Sequence, residues 1–264
     1  MSLRDEVHED VETIVVDDGG SVDPRLLDEF RGVRFLRGGG GRGAGAARNI
    51  GLAAANGEFA IFLDDDDVAL PARISTLLAT AKESRADICF GMTRRVAHDA
   101  SVVLADVPTH QISSGPVGFC DLLTCSPHVN ATLVRTSVLR GVGGFDEAAE
   151  YFEDWMAWLR LADRNVRMWC VPDVVAEWRI HATGVTALVE GRRAIKANLL
   201  ALFESLTPEL SPDKVPALTI ARRAVADSEI ATYDQYADAI ARIRRRLHAS
   251  GECLGPRLAS HRPS

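Results

Sequence analysis

The sequence predicts an α/β fold: a mixed, mostly parallel sheet flanked by helices, with a helical C-terminal extension. Three observations predict it. Short apolar runs alternate with segments of helical composition through the N-terminal part of the chain. The runs end in turn chemistry, two of them in carboxylates, as strands do at a sheet rim. From about Leu188 to Ala249 the pattern is helical throughout.

Taken in order, Thr13 to Val16 reads as a strand closed by Asp17-Asp18-Gly19-Gly20, and Pro24 to Phe30 as a helix. Val33 to Leu36 is a second strand, ended by the glycine run that starts at Gly38, and Ala44 to Asn56 is the helix after it. Phe59 to Leu63 is a strand that runs into four consecutive carboxylates, Asp64 to Asp67. Pro71 opens the next helix, through Ser84, at a position where the missing N–H costs nothing. Strand-like Ile88 to Phe90 precedes a less regular stretch marked by Pro108, Gly115 and Pro116, and Asn130 to Val134 is again strand-like. Gly143 to Glu147 reads as a turn. Glu153 to Ala162 reads as a helix whose Trp155, Trp158, Leu159 and Ala162 share one face and belong to the core. Val166 to Val171 and Val174 to Ile180 read as two more strands. Parallel sheets of this kind bind ligands beyond the carboxyl ends of their strands, so Asp17-Asp18 and Asp64 to Asp67 are expected at one rim.

With 264 residues, 47% of them apolar, the chain can bury a substantial core. Its net charge of −7 argues against general nucleic-acid binding and against broad attraction to anionic membranes. The five cysteines are odd in number and lack a C-x-x-C pair, which fits reduced thiols. No stretch approaches the roughly 18 apolar residues of a membrane span. The N-terminus lacks the apolar core of a signal peptide, so a cytoplasmic protein is expected.

Four adjacent negative charges repel one another, and a bound cation is the usual way to hold them together; a solvated acidic loop is the alternative. On an extended segment, side chains alternate in direction, so all four could not ligate one ion. The glycine run Gly38 to Gly45 is no P-loop, because no Lys-Ser or Lys-Thr follows it and the nearest lysine is Lys82. It matches G-x-G-x-x-G formally at Gly38, Gly40 and Gly43, a near-automatic match in so glycine-rich a run. What remains is a mobile loop whose backbone, with Arg48, could approach a nucleotide, the guanidinium being suited to bidentate phosphate contact.

Four segments in order resemble the inverting glycosyltransferases of family 2, which have the GT-A fold. They are Val15 to Ser21; Ala47-Arg48-Asn49-Ile50-Gly51-Leu52 with Asn56-Gly57-Glu58; Leu63 to Asp67, with Pro71 beyond; and Gly143 to Glu147 followed by Glu153-Asp154-Trp155 and Trp158-Leu159-Arg160. The resemblance implies transfer of a sugar from a nucleotide-diphosphate sugar donor to a hydroxyl acceptor (a glycan, a lipid-linked acceptor or a small molecule) with Mn²⁺ or Mg²⁺ as cofactor. Asp17 and Asp18 would contact the donor's base and ribose, the alternative being a strand-end turn capped by carboxylates. Asp66 would coordinate the metal. Asp64 would serve ribose or metal, with Asp65 and Asp67 as neighbours. His181 resembles a position that reaches metal or diphosphate, against a surface histidine, and Arg179 is a weaker phosphate candidate. Asp154 would be the general base, with Glu153 contacting the acceptor or orienting the site. A lone Glu-Asp pair at a helix start is otherwise a favourable partner of the helix dipole.

One departure from the family's pattern stands at the N-terminus. Ser2 to Val11 resembles the tail of the family's first helix, so the strand before it is expected to be absent. The expected division is a GT-A domain over residues 1–185 and a helical extension over 186–264. In that extension Ile240, Ile243 and Leu247 share one helical face near Arg242 and Arg244 to Arg246. Packing on the main domain or peripheral contact with the inner face of a membrane would both use such a helix. Two other functions fit the same residues: a non-catalytic nucleotide-binding or scaffold protein, and a sugar nucleotidyltransferase, which pyrophosphate release would reveal.

Overall fold

The computed structural model describes residues 11–19, 23, 25, 32–97, 103–107, 114–149, 151–180, 189–230 and 233–253. The helix expected over Pro24 to Phe30 (apart from Arg25), residues 2–10 of the expected helix tail, and His181 lie outside the described residues. Strands β1 (Thr13–Asp17) and β2 (Val33–Arg37) pair in parallel as a two-stranded sheet, and helix α1 (Ala44–Ala54) packs on β1. The larger sheet is built from β3 (Phe59–Ile61), β4 (Val68–Ala69), β5 (Ile88–Ala97), β6 (Val103–Val107), β7 (Gly115–Val117), β8 (Thr132–Arg135) and β9 (Met168–Ile180). Its main path runs β3-β8-β5-β9-β4, with β6 on β5 and β7 on β9.

The expected mixed sheet with flanking helices is present, but the expected majority of parallel pairs is not. Among the described residues only β1–β2 and β5–β9 are parallel, and the other five ladders are antiparallel. The two strands expected at 166–171 and 174–180 are one strand, β9. It passes Pro172 and Asp173 while its pairing with β5 shifts register near Met92. A proline and a register shift look like a strand boundary in sequence, yet a bulge accommodates both.

The remaining helices are α2 (Arg73–Ser84), the short α3 (Phe119–Leu122) and α4 (Thr136–Gly141), α5 (Glu153–Asp163), α6 (Val189–Leu206), α7 (Val215–Ala226) and α8 (Tyr233–Ser250). Helix α5 is buried on nearly every side, as its tryptophans foretell. Trp155 Nε1 donates to Leu122 O (2.6 Å) and Trp158 Nε1 to Pro127 O (3.0 Å), so both indoles satisfy their only donor inside the core. One core cluster continues from these residues into Leu199, Leu202 and Phe203 of α6 and on to Ile243 and Leu247 of α8. The apolar face of α8 is therefore used up inside the protein.

That packing corrects the cysteine expectation. Cys120 in α3 and Cys253 after α8 form a disulfide, with Cα atoms 5.8 Å apart, while Cys89, Cys125 and Cys170 are buried free thiols. Cysteine spacing gave no hint of it, because the two residues lie 133 positions apart and meet only when α8 folds back. The pairing removes reduced thiols as a ground for a cytoplasmic location. Cys120→Ser should lower stability by about 3–5 kcal/mol, because the link closes a long loop in the unfolded chain. Thermal melting checks this: the parent with reductant should melt like the variant without it.

Candidate active site

The acidic run is a turn, not an extended segment. Asp67 N donates to Asp64 O (3.2 Å), which brings the first and last carboxylates to the same side and leaves Asp65 and Asp66 exposed. The alternation expected for a strand therefore does not apply here. Asn130, just before β8, closes the turn from below: its Oδ1 accepts from Asp64 N (3.0 Å) and its Nδ2 donates to Asp67 Oδ2. Asp67 Oδ1 accepts from Arg179 N (2.8 Å), which ties the turn to the end of β9. Burial, with the charges of Asp66 and Asp64 adding, pushes the Asp67 carboxyl up to about 7.

Beneath the turn lies His128, its ring 5.2 Å from that of Trp178. Burial pushes the imidazole down to about 4, so it is neutral at ordinary pH, the form that can ligate a metal. Asp64, Asp67 and His128 offer ligand atoms within 4.8 Å of one another. Arg73, 1% exposed, donates from Nη2 to Phe62 O, placing a buried cation under this acidic corner.

Arg48 of α1 joins the turn to the other half of the site. Its Nη2 lies 2.6 Å from Asp64 Oδ1, and its Nη1 pairs with Glu153 Oε1 at the start of α5. The guanidinium sits 5.7 Å from the Phe145 ring centroid. Asp154, next to Glu153, accepts from Trp155 N at Oδ1 (2.7 Å). Burial and the neighbouring Glu153 charge hold the Asp154 carboxyl above the usual carboxylate range, against the pull of Arg48. Asp64 and Glu153-Asp154 are thus brought together across the fold.

Asp17 and Asp18 stand at the end of β1, and the glycine run folds directly over them. Gly38 N donates to Asp17 O (2.8 Å), Gly41 N to Asp18 O (2.5 Å) and Gly43 N to Asp18 Oδ2 (2.8 Å). A Cβ at Gly38 would sit 2.8 Å from Asp18 Oδ1, so glycine permits this approach. Arg42 reaches Glu147 (3.2 Å), a second tie to the segment that leads into α5. The loop expected to be mobile is pinned at both ends. Asp18 Oδ1 and Arg179 Nε are buried without a hydrogen-bond partner, an acceptor and a donor left for something else.

Sequence reasoning missed His128, Asn130, Arg73 and the role of Asn49. The one available signal was the polar pair His128 and Asn130 immediately before an apolar strand, which is where a rim residue stands. Asn49 was visible only as part of a motif. Its Nδ2 donates to Phe145 O and its Oδ1 accepts from Phe145 N, both at 2.8 Å.

Residues 1–103 match the family model for glycosyl transferase family 2. The GalNAc(5)-diNAcBac-PP-undecaprenol beta-1,3-glucosyltransferase of Campylobacter jejuni is 37% identical over 93 residues, which are 33% of this chain and 30% of that protein. The chain covers less than a third of the length of the curated relatives it matches. Among solved structures, S. aureus TarS 1–349 in complex with UDP-GlcNAc is similar with a TM-score of 0.56 at 18% identity, over 92% of this chain and 83% of that one. The mannosyltransferase PcManGT of Pyrobaculum calidifontis, in complex with GDP-Man and Mn²⁺, is similar with a TM-score of 0.58 at 16% identity, over 92% and 67%. At these identities the likeness is one of fold.

Proposed function

The chain belongs to glycosyl transferase family 2 through its residues 1–103, and from that premise we propose that it is a metal-dependent inverting glycosyltransferase acting on a nucleotide-diphosphate sugar and a hydroxyl acceptor. The observation that carries the proposal is Arg48, which holds Asp64 and Glu153 on one guanidinium. A donor-side carboxylate and the acceptor-side pair Glu153-Asp154 are thereby fixed at one place.

A divalent cation fits the residues present. Two carboxylates and a neutral imidazole converge at Asp64, Asp67 and His128, with the exposed Asp66 beside them. These residues would hold Mn²⁺ or Mg²⁺, with His181 a further candidate. Once bound, the ion would offset the charge of the diphosphate leaving group as a Lewis acid. Asp67, already held by Asn130 and Arg179 N, fixes the turn more than it offers a free ligand. The unpartnered Arg179 Nε suits a phosphate oxygen, and the unpartnered Asp18 Oδ1 suits a ribose hydroxyl or a base N–H, with Asp17 and Asp65 alongside. Asp154 takes the proton of the acceptor hydroxyl as its oxygen attacks the anomeric carbon from the face opposite the leaving group. Its raised affinity for protons suits that task, and Glu153 orients the site through Arg48.

All of these residues lie within 1–185, which we assign to the catalytic GT-A domain, leaving 186–264 as the helical extension. Among the described residues no helix is long and apolar enough to cross a membrane. With Ile243 and Leu247 buried, peripheral contact with the inner face of a membrane would fall to arginines such as the exposed Arg245, and the apolar stripe of α8 would take no part.

Isothermal titration with UDP- and GDP-sugars, with and without Mn²⁺, tests the reading. Binding should require the metal and be lost in Asp64→Asn. Absence of metal-dependent binding to any of the panel would overturn it. Donor binding without turnover toward any acceptor hydroxyl would favour a nucleotide-binding module instead.

A further inference from the structure

Arg48 is placed where a metal ligand has to be shared. Its side chain is only 10% exposed, so water screens its charge little. Its Nη2 lies 2.6 Å from Asp64 Oδ1, its Nη1 is on Glu153 Oε1, and the Phe145 ring lies 5.7 Å from its centre. The helix that carries it is anchored one residue on, through the paired hydrogen bonds of Asn49 with the Phe145 backbone. Arg48 is thus held over Asp64 by a rigid element. It is the ion-pair partner of Asp64 among the described residues, and its Nε is buried without an acceptor.

We propose that Arg48 is a resident counter-cation on Asp64, so that a divalent cation binds strongly there only together with a nucleotide diphosphate. The proposal rests on the reading of Asp64 as a metal ligand. A bare dication approaching the half-buried Asp64 meets a carboxylate whose charge Arg48 already partly offsets, and it meets the guanidinium itself at short range. A diphosphate arriving with the dication changes both terms. Its negative charge offsets the two cations together, and its oxygens are acceptors of the kind the unpartnered Nε lacks. Metal and nucleotide then enter as one unit, and the same guanidinium, held by Glu153, places that unit against the acceptor side. Arg48 is in this sense a positioning residue whose charge sets the order of binding.

Manganese binding followed by electron paramagnetic resonance, with Mn²⁺ alone and then with saturating UDP or GDP, tests this on the full chain. In the parent, Mn²⁺ affinity should rise at least tenfold when the nucleotide is added. In Arg48→Gln, Mn²⁺ alone should bind at least fivefold tighter than to the parent, and the enhancement by nucleotide should shrink. Arg48→Lys, which keeps the charge, should stay close to the parent. Glu153→Gln should act in the opposite sense and weaken binding of Mn²⁺ alone, because it leaves the guanidinium less neutralised. Arg48→Gln that keeps its circular dichroism yet binds Mn²⁺ no tighter than the parent overturns the proposal. If that variant does not fold, Glu153→Gln decides: weaker binding supports the proposal, and unchanged or tighter binding overturns it. A parent that takes up no Mn²⁺ with or without UDP or GDP removes the metal reading of Asp64, and the proposal with it.

Discussion

Asp154→Asn is expected to lower turnover by about 10²–10⁴-fold, the range that loss of a positioned general base produces, while donor binding stays close to that of the parent. The substitution keeps the shape of the side chain and an oxygen for the Trp155 N–H, which Asp154 Oδ1 now accepts at 2.7 Å. It removes the capacity to take a proton, together with the carboxylate's charge near Arg48. Donor affinity should be spared because Asp18, Asp64 and Arg179, the residues proposed to hold the donor, do not depend on Asp154 for their hydrogen bonds. The pH profile gives an independent check. Burial and the Glu153 charge raise the proton affinity of Asp154, so the basic, working form appears only above the ordinary carboxylate range. In the parent, kcat/KM should therefore rise with pH along a limb placed above that range. In Asp154→Asn that limb should vanish with the activity. Calorimetric donor titration beside turnover measurements from acid to neutral pH reads both effects, and a variant with parental turnover would exclude Asp154 as the base.

The rim was legible from sequence because it depends on local pattern. A run of apolar residues ending in Asp17-Asp18, and another ending in Asp64, each show strand and strand end within a few residues, although the two strands stand in different sheets among the described residues. Shape inside the acidic run was not legible. Whether four aspartates extend or turn is decided by Asn130, some sixty residues on, whose amide holds Asp64 N and Asp67 Oδ2 together. His128 stayed hidden for a related reason, since its place just before an apolar strand hints at the rim but does not say that it faces the turn. The sheet shows the limit from the other side. Strand-helix alternation predicts parallel pairing, but β8 enters between β3 and β5 after a long excursion and runs antiparallel to both, a choice made by tertiary packing. The Cys120–Cys253 link likewise needs the return of α8 before it can exist.

Asn49→Ala should be among the most damaging single changes outside the reacting groups. Asn49 Nδ2 donates to Phe145 O and its Oδ1 accepts from Phe145 N, both at 2.8 Å, and Nδ2 also reaches Glu147 Oε1 at 3.0 Å. Gly144 has φ of 74°, and a Cβ there would collide with Asn49 Oδ1, so the turn is shaped around this one amide. Phe145 itself is 2% exposed, set edge-on against Phe62 and Trp158, with Arg48 over its ring. Alanine would strand a buried N–H and a buried carbonyl, a loss of about 2–4 kcal/mol, or a fall of roughly 5–10 °C in Tm for a domain of this size. It would also release the support under Arg48 and Trp158, and with them the placing of Glu153 and Asp154. A shift of that kind can cost up to about 10²-fold in kcat/KM with every reacting group still present. Arg42→Ala is the matched comparison, since it removes the neighbouring tie to Glu147. That pair is nearly half exposed on both sides, and its loss should cost about 1 kcal/mol or less. Melting curves and kcat/KM for the two variants separate the cases. Equal, small losses in both would mean that the Asn49 amide does not hold the turn at Gly144 and Phe145, and a large loss confined to Asn49→Ala would mean that it does.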